Sequence, residues 1–555
     1  MKLVHLWIRA YIVPVFLTGW LLTTTSLLVS KANDDVNPLG RAGDAPIQIV
    51  VDPKIDERLF LLRVLETCYE QWPRPSDDSE KLKSEVSEMR RRALKHAQYA
   101  KDQSLDHSIV SLYEDLAEML DIYEDTITEL LKVDRESMAK ANRQRSKDIT
   151  NSSFKGGVAA GEAFAAGASP GSAILLWAGA GLLDYILEDN GEVDQIDELK
   201  KQAVGKIVAN YDKNYTQTIA RAQNTSILIA KKYGWDASEV GFDVSIDQAQ
   251  HITSLSQDGD FRELGRLHEL SCRKRPRDPF AIGGRTINTI LTLGETAKPD
   301  QLMKLSNDCL KAATLIPEGR FYDKYRSGFI ASSAYIANSA VDLELGMLGY
   351  SSGPAQNALH AVKLWRTYLI FDEADTTGDS RAGLAWALAG AGRYKEALSV
   401  IHEIIKLKND DPTFAYKVTC ILCMEDRIED AWGSFKHAIE SCGFNDISTA
   451  RNDPDLNKLR LQKPIEFNDL TEVKTEFSIE WGFFSDDVCL VNNSKFALTN
   501  IVLEVKVESA GYEPSFNRFE TELIMPGETY RWNTRIASRG NNSKSIRSIK
   551  CDQNL

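Results

Sequence analysis

Two stretches of this chain repeat one another at a period of 34 residues: GRYKEALSVIHEII (Gly392–Ile405) returns as DRIEDAWGSFKHAI (Asp426–Ile439). Tyr394 falls on Ile428, Ala397 on Ala431, Ile401 on Phe435 and Ile404 on Ala438. A fixed period of this length marks a helical hairpin that cannot bury its own apolar face and must stack on a neighbour. The small alanine at each matched position lets two helices approach closely, and the larger residue four places on fills the space beside it. The feature specifies architecture and points to binding, and it spells out no reaction.

The pattern resembles the tetratricopeptide repeat over residues 378–460, with its Gly-x-Tyr turn and its spaced Ala, Phe and Ala. NDPDLNKLR (Asn452–Arg460) resembles the aspartate-rich cap that follows the last helix of such arrays in bacterial proteins. A cap is physically required, because the final repeat otherwise exposes an apolar face. Amphipathic segments separated by Pro or Gly lead into the repeats from about Ile246, so the helical array is assigned to residues 241–465. Ala361 and Trp365 read as an eroded earlier copy, two residues out of register. The resemblance implies a groove lined by the first helix of each repeat. Carried onto this sequence, the groove positions are Trp386 in the first copy and Tyr416, Cys420, Cys423 and Met424 in the second. That set is apolar and aromatic, so the implied partner is a protein or peptide with an apolar binding face. Burial of Trp386 and Met424 against the preceding helices is the competing explanation.

Location is set by the N-terminus. Lys2 and Arg9 precede an uncharged stretch, Tyr11–Ser30, long enough to cross a bilayer. Basic residues ahead of such a segment hold that end in the cytoplasm and send the rest across. Residues 1–32 are therefore a signal-anchor helix contacting the membrane, or a signal peptide cleaved near Ala32. In both cases the bulk of the chain is expected outside the cytoplasm, periplasmic or extracellular. The net charge of -14 argues against nucleic acid as a partner. The basic run Arg273–Arg277 is short, contains a proline, and is expected as a solvated loop.

Residues 33–54 read as a linker rich in Asp, Asn, Pro and Gly. Over residues 55–240 the pattern is a long helical hairpin. Ile109, Leu112, Leu116, Leu120, Tyr123, Ile127 and Leu131 recur at three- and four-residue steps, and a second run spans Val193–Tyr233. Between them, residues 156–187 are rich in Gly and Ala, with Ser169-Pro170-Gly171 at the centre. This segment is either a buried pair of short helices at the hairpin tip or a membrane-inserting element. Beyond residue 470 the period switches to alternation. Phe477, Ile479 and Trp481 share one side, as do Ile501, Leu503, Val505 and Val507, and Pro526-Gly527 supplies a turn. Residues 470–555 thus read as a β-sandwich, and they resemble Ig-like modules of bacterial envelope proteins.

A search for chemistry finds little. No phosphate-binding loop, nucleophile elbow or HExxH stretch is present. Cys420 and Cys423 form a C-x-x-C on a repeat helix with no second pair, which fits packing better than redox or metal work. His268 and Cys272 share a helix face, yet two ligands do not close a zinc site. Cys489 and Cys551 bracket the C-terminal module and are spaced so that they could pair. No catalytic residue, metal or cofactor is expected. The sequence describes a mostly α protein, a helical hairpin plus a helical solenoid with a C-terminal β-sandwich, acting as a membrane-tethered interaction scaffold. The alternatives are a membrane-inserting or assembly element using residues 156–187, and a hydrolase whose site is assembled from scattered residues.

Overall fold

The structure is a computed structural model that describes residues 45–70, 79–145, 191–236, 261–348, 354–372, 375, 377–408, 411–481, 486–509, 515–534 and 542–554. It is mostly helical, with small antiparallel sheets at the C-terminal end. Residues 1–32 and the Gly/Ala-rich segment 156–187 lie outside the described residues.

The first helices are α1 (Glu57–Glu70), α2 (Ser79–Asp102), α3 (His107–Arg145) and α4 (Gly191–Tyr233). The apolar step of α3 does what its spacing dictates. Ile109, Leu112, Leu116, Leu120, Tyr123 and Ile127 are all buried, against Val86, Met89, Ala93 and Ala97 of α2 and Leu61 and Leu65 of α1. Asp106, just ahead of α3, accepts hydrogen bonds from Lys232 Nζ (2.7 Å) and Tyr233 Oη (2.8 Å) at the end of α4, so α3 and α4 run antiparallel. Burial works against the Asp106 charge, but these bonds and the Ser108 amide together hold its carboxyl well below the usual range.

Next come α5 (Phe261–Lys274), α6 (Pro279–Leu293), α7 (Pro299–Thr314), α8 (Asp323–Leu348), α9 (Ala358–Phe371), α10 (Asp379–Gly390), α11 (Tyr394–Lys408), α12 (Pro412–Met424) and α13 (Ile428–Glu440). Each packs on the next in sequence, and α8, α10 and α12 also touch in turn, so alternate helices lie side by side. Starts are written locally. Asp278 and Asp411 cap α6 and α12 with their carboxylates, and Pro279 and Pro412 occupy the first helical position of each.

The core of α1–α4 continues into α6, α7 and the start of α8 through Phe280, Ile282, Ile316 and Phe329. A buried ionic cluster stitches the same junction. Arg63 pairs with Glu66 and with Asp278 (2.5 Å), while Arg275 reaches Glu66 at 3.2 Å. The basic run expected as a solvated loop is therefore corrected in part: Arg275 is buried in this cluster, and Arg277 pairs with Asp52 at 2.5 Å. Residues 45–54, within the stretch read as linker, lie against the helices. The Ile47 amide donates to Thr367 Oγ1 (2.7 Å) and the Asp52 amide to the Thr314 carbonyl (2.9 Å).

After α13, the short helices α14 (Ile447–Asn452), α15 (Asn457–Gln462) and α16 (Pro464–Thr471) close the helical part. Phe467 of α16 stacks on Phe435 of α13 at 5.1 Å, covering the apolar face the last repeat would expose. Among the described residues six strands follow: β1 (Thr475–Trp481), β2 (Asp486–Asn492), β3 (Leu498–Ser509), β4 (Ser515–Ile524), β5 (Thr529–Thr534) and β6 (Asn542–Lys550). They form two three-stranded antiparallel sheets, ordered β1-β2-β5 and β4-β3-β6. Val488 of the first and Leu503 and Val505 of the second share a small core. The Pro526-Gly527 turn occurs where expected, with Gly527 at φ 75°, but it carries the chain from one sheet to the other. Cys489 and Cys551 are both buried.

Candidate interaction face

The face shared by α8, α10 and α12 places an acid and a lysine near a partly buried aromatic ring. Trp386 of α10 is only partly buried, and its Nε1 donates to Asp342 Oδ1 of α8 at 2.5 Å. Burial pushes the Asp342 carboxyl up to about 7, against the Trp386 hydrogen bond, with Asp453 adding to the rise and Lys417 opposing it. Lys417 of α12 is partly buried as well, with its Nζ 5.6 Å from the centre of the Phe414 ring. Burial lowers its pKa, while Asp379, Asp411 and Asp342 pull the other way. Among the described residues no ion pair within 4.0 Å joins Asp342 to Lys417.

The five residues assigned to the groove divide here. Tyr416, Cys420, Cys423 and Met424 are all buried, and only Trp386 keeps appreciable exposure. Tyr416 stacks on Phe444 at 4.3 Å and donates its hydroxyl to Asp453 Oδ2 at 2.6 Å. Asp453 in turn accepts from the Asp455 amide at 2.9 Å, opening the short 3-10 turn Pro454–Leu456. The closing segment thus lies over α12 and covers the second copy's positions. Burial drives the Cys423 thiol up to about 12 and the Cys420 thiol well above its ordinary range.

Cys420, Asp453 and Asp455 place one ligand atom each within 4.8 Å of one another, the one such group among the described residues. The bonds that Asp453 already accepts account for it as the anchor of the cap. His268 and Cys272 do not join any such group. Burial pulls the His268 imidazole down to about 4 and pushes the Cys272 thiol up to about 11.

Sequence reasoning missed Asp342 and Lys417. One signal was available: Asp342 is the first charged residue after an uncharged run of 15, Ser327–Val341, inside a helix. An acid that closes so long an uncharged run needs a partner, and here that is the Trp386 indole. Nothing equivalent marks Lys417.

No protein-family model matches this chain, and no curated protein is significantly similar to it. Among the described residues, no helix is long and apolar enough to cross a membrane.

Proposed function

We propose that this chain is a non-catalytic interaction scaffold whose tetratricopeptide-like array, held outside the cytoplasm, docks a partner chain on the face of α8, α10 and α12. The single observation that carries the reading is Trp386: an indole kept accessible among buried neighbours and oriented by Asp342. Large aromatic side chains with a fixed polar handle are the commonest anchors of protein interfaces. The occupant presents an apolar surface to the Trp386 ring and a polar group to Asp342 or Lys417, which adds a polar element to the apolar partner expected from sequence. The two C-terminal sheets, on this reading a β-sandwich, extend the array. The uncharged N-terminal segment, as anchor or as cleaved signal, supports the extracytoplasmic assignment.

The experiment compares wild-type and Trp386→Ala chains, each used to capture partners from the native envelope. The scaffold reading expects one protein to be recovered by the wild type and lost with Trp386→Ala, while the melting temperature stays close to the parent. A large drop in melting temperature would make Trp386 a core residue and sink the assignment. A chain beginning at Asp34 that pellets with bilayers in the absence of detergent would favour instead a membrane-inserting role for residues 156–187.

A further inference from the structure

The end of α13 holds a feature that the scaffold reading does not use. The helix stops at Glu440, and the chain turns back on itself. The amides of Ser441 and Cys442 both donate to the His437 carbonyl (2.9 and 3.1 Å), and the Phe444 amide donates to the Ala438 carbonyl at 2.8 Å. Gly443 permits this by taking the left-handed conformation, φ 78°. Phe444, anchored on Tyr416, fixes the turn. The result sets Cys442 over the last helical turn, where its Sγ lies 3.4 Å from His437 Nε2. His437 is exposed and Cys442 is partly so.

We propose that Cys442 and His437 form a reactive thiol–imidazole pair, a surface site for mixed-disulfide formation with small disulfides. In the tautomer carrying its proton on Nδ1, His437 accepts the thiol proton at Nε2. The Cys442 thiolate attacks one sulfur of the incoming disulfide, a protein–ligand S–S bond forms, and the ligand's own S–S bond breaks. The departing half leaves as a thiolate and takes up a proton. The protein sulfur is oxidised and the departing half reduced, so no further oxidant is needed.

Three observations single out this site. Six of the eight cysteines, at 272, 309, 420, 423, 489 and 551, are buried, and burial pushes the Cys309 thiol, for example, up to about 12. Cys68 is partly exposed but packs into the core shared by α1–α4 and α6–α8. The first repeat copy carries Glu403 and Lys408 at the positions matching His437 and Cys442, so the pair is not part of the repeat pattern. The nearest acid on the helix, Glu440, is met by Lys436 at 3.7 Å. A thiol beside an imidazole is the arrangement that raises thiolate content.

The inference is independent of partner docking, and its test is chemical. The full reduced chain is mixed under native conditions with 5,5′-dithiobis(2-nitrobenzoate), and separately with oxidised glutathione followed by peptide mapping. The expected result is one thiol reacting ahead of the others, with the glutathione adduct on the peptide holding Cys442. Cys442→Ser removes that phase. His437→Gln keeps its amplitude and slows it by about three- to ten-fold, since one unit of thiol acidity changes thiolate content ten-fold and lower nucleophilicity takes part of that back. A fast phase that persists in Cys442→Ser overturns the proposal. So does a rate untouched by His437→Gln, which would make Cys442 merely an accessible thiol.

Discussion

Gly392 and Asp426, thirty-four residues apart, hold the same left-handed backbone conformation, at φ 72° and 66°. Around them the turn bonds match one for one. The Arg393 amide donates to the Leu388 carbonyl (2.8 Å) and the Arg427 amide to Leu422 (2.9 Å). The Gly392 amide donates to Ala389 (2.9 Å) and the Asp426 amide to Cys423 (3.2 Å). The repeat seen in sequence is therefore a repeat of helix-ending geometry.

The second copy uses a residue poorly suited to that conformation, which yields a stabilising change. Asp426→Gly is expected to gain roughly 0.5–1 kcal/mol by removing left-handed strain. It gives up only the exposed Lys458 pair at 3.1 Å, which is worth little. Gly392→Ala should lose about 1 kcal/mol through conformation alone, because the nearest atom to an added Cβ is Pro354 Cβ at an ordinary 3.7 Å. Urea denaturation of the two variants, read against wild type, checks both signs.

A tighter constraint sits between α9 and α10. A Cβ at Gly383 would lie 2.3 Å from the Trp365 ring, and the Gly383 carbonyl accepts from Asn338 Nδ2 at 3.0 Å. Neither the indole nor the helix can retreat, since Trp365 is fully buried. Gly383→Ala is expected to cost about 1–3 kcal/mol by overpacking. Combined with Trp365→Phe it should cost less than the two changes added, and a double-mutant cycle of melting free energies measures that coupling.

What the sequence disclosed follows from how local each determinant is. The α3 stripe, the Pro-initiated helices, the Pro526-Gly527 turn and the matched Gly392 and Asp426 turns depend on residues within a few positions of one another, so period and punctuation reveal them. The Arg63–Asp278 pair joins residues 215 apart, and the Trp386–Asp342 bond joins residues 44 apart. Nothing in either neighbourhood names its partner. The same limit explains the groove. The groove positions Tyr416 and Cys420 follow from the pattern of a single repeat, whereas their burial is decided by Asp453 and Phe444 of the segment that folds back over them.

The buried ionic cluster provides a severe test of the junction between α1 and α6. Asp278 caps α6 by accepting from the Phe280 amide at 3.0 Å and also pairs with Arg63. Asp278→Ala removes the cap and leaves the cluster with an excess buried positive charge. The expected loss is about 3–5 kcal/mol for the broken buried pair, with the lost cap adding about 1. Asp278→Asn keeps the cap and should recover only that smaller part. Equilibrium unfolding in guanidinium separates the two variants.

Asp342 makes stability depend on pH in the direction opposite to most carboxylates. Burial raises its folded-state pKa to about 7 from an ordinary value of 3.8. The folded chain therefore holds this proton more tightly than the unfolded chain does. Between those two values the native state binds more protons, so the Asp342 contribution is fully present below about pH 4. It is lost as pH rises toward 7 and stays lost above it. Asp342→Asn keeps an acceptor for the Trp386 indole and carries no charge at any pH. The variant should melt close to wild type at about pH 4 and above it in mildly alkaline buffer, with the difference opening as pH approaches 7. Melting curves of both proteins across that range decide the matter. Parallel curves would mean that the Trp386 indole and its surroundings already satisfy the ionised Asp342 carboxylate in the folded chain.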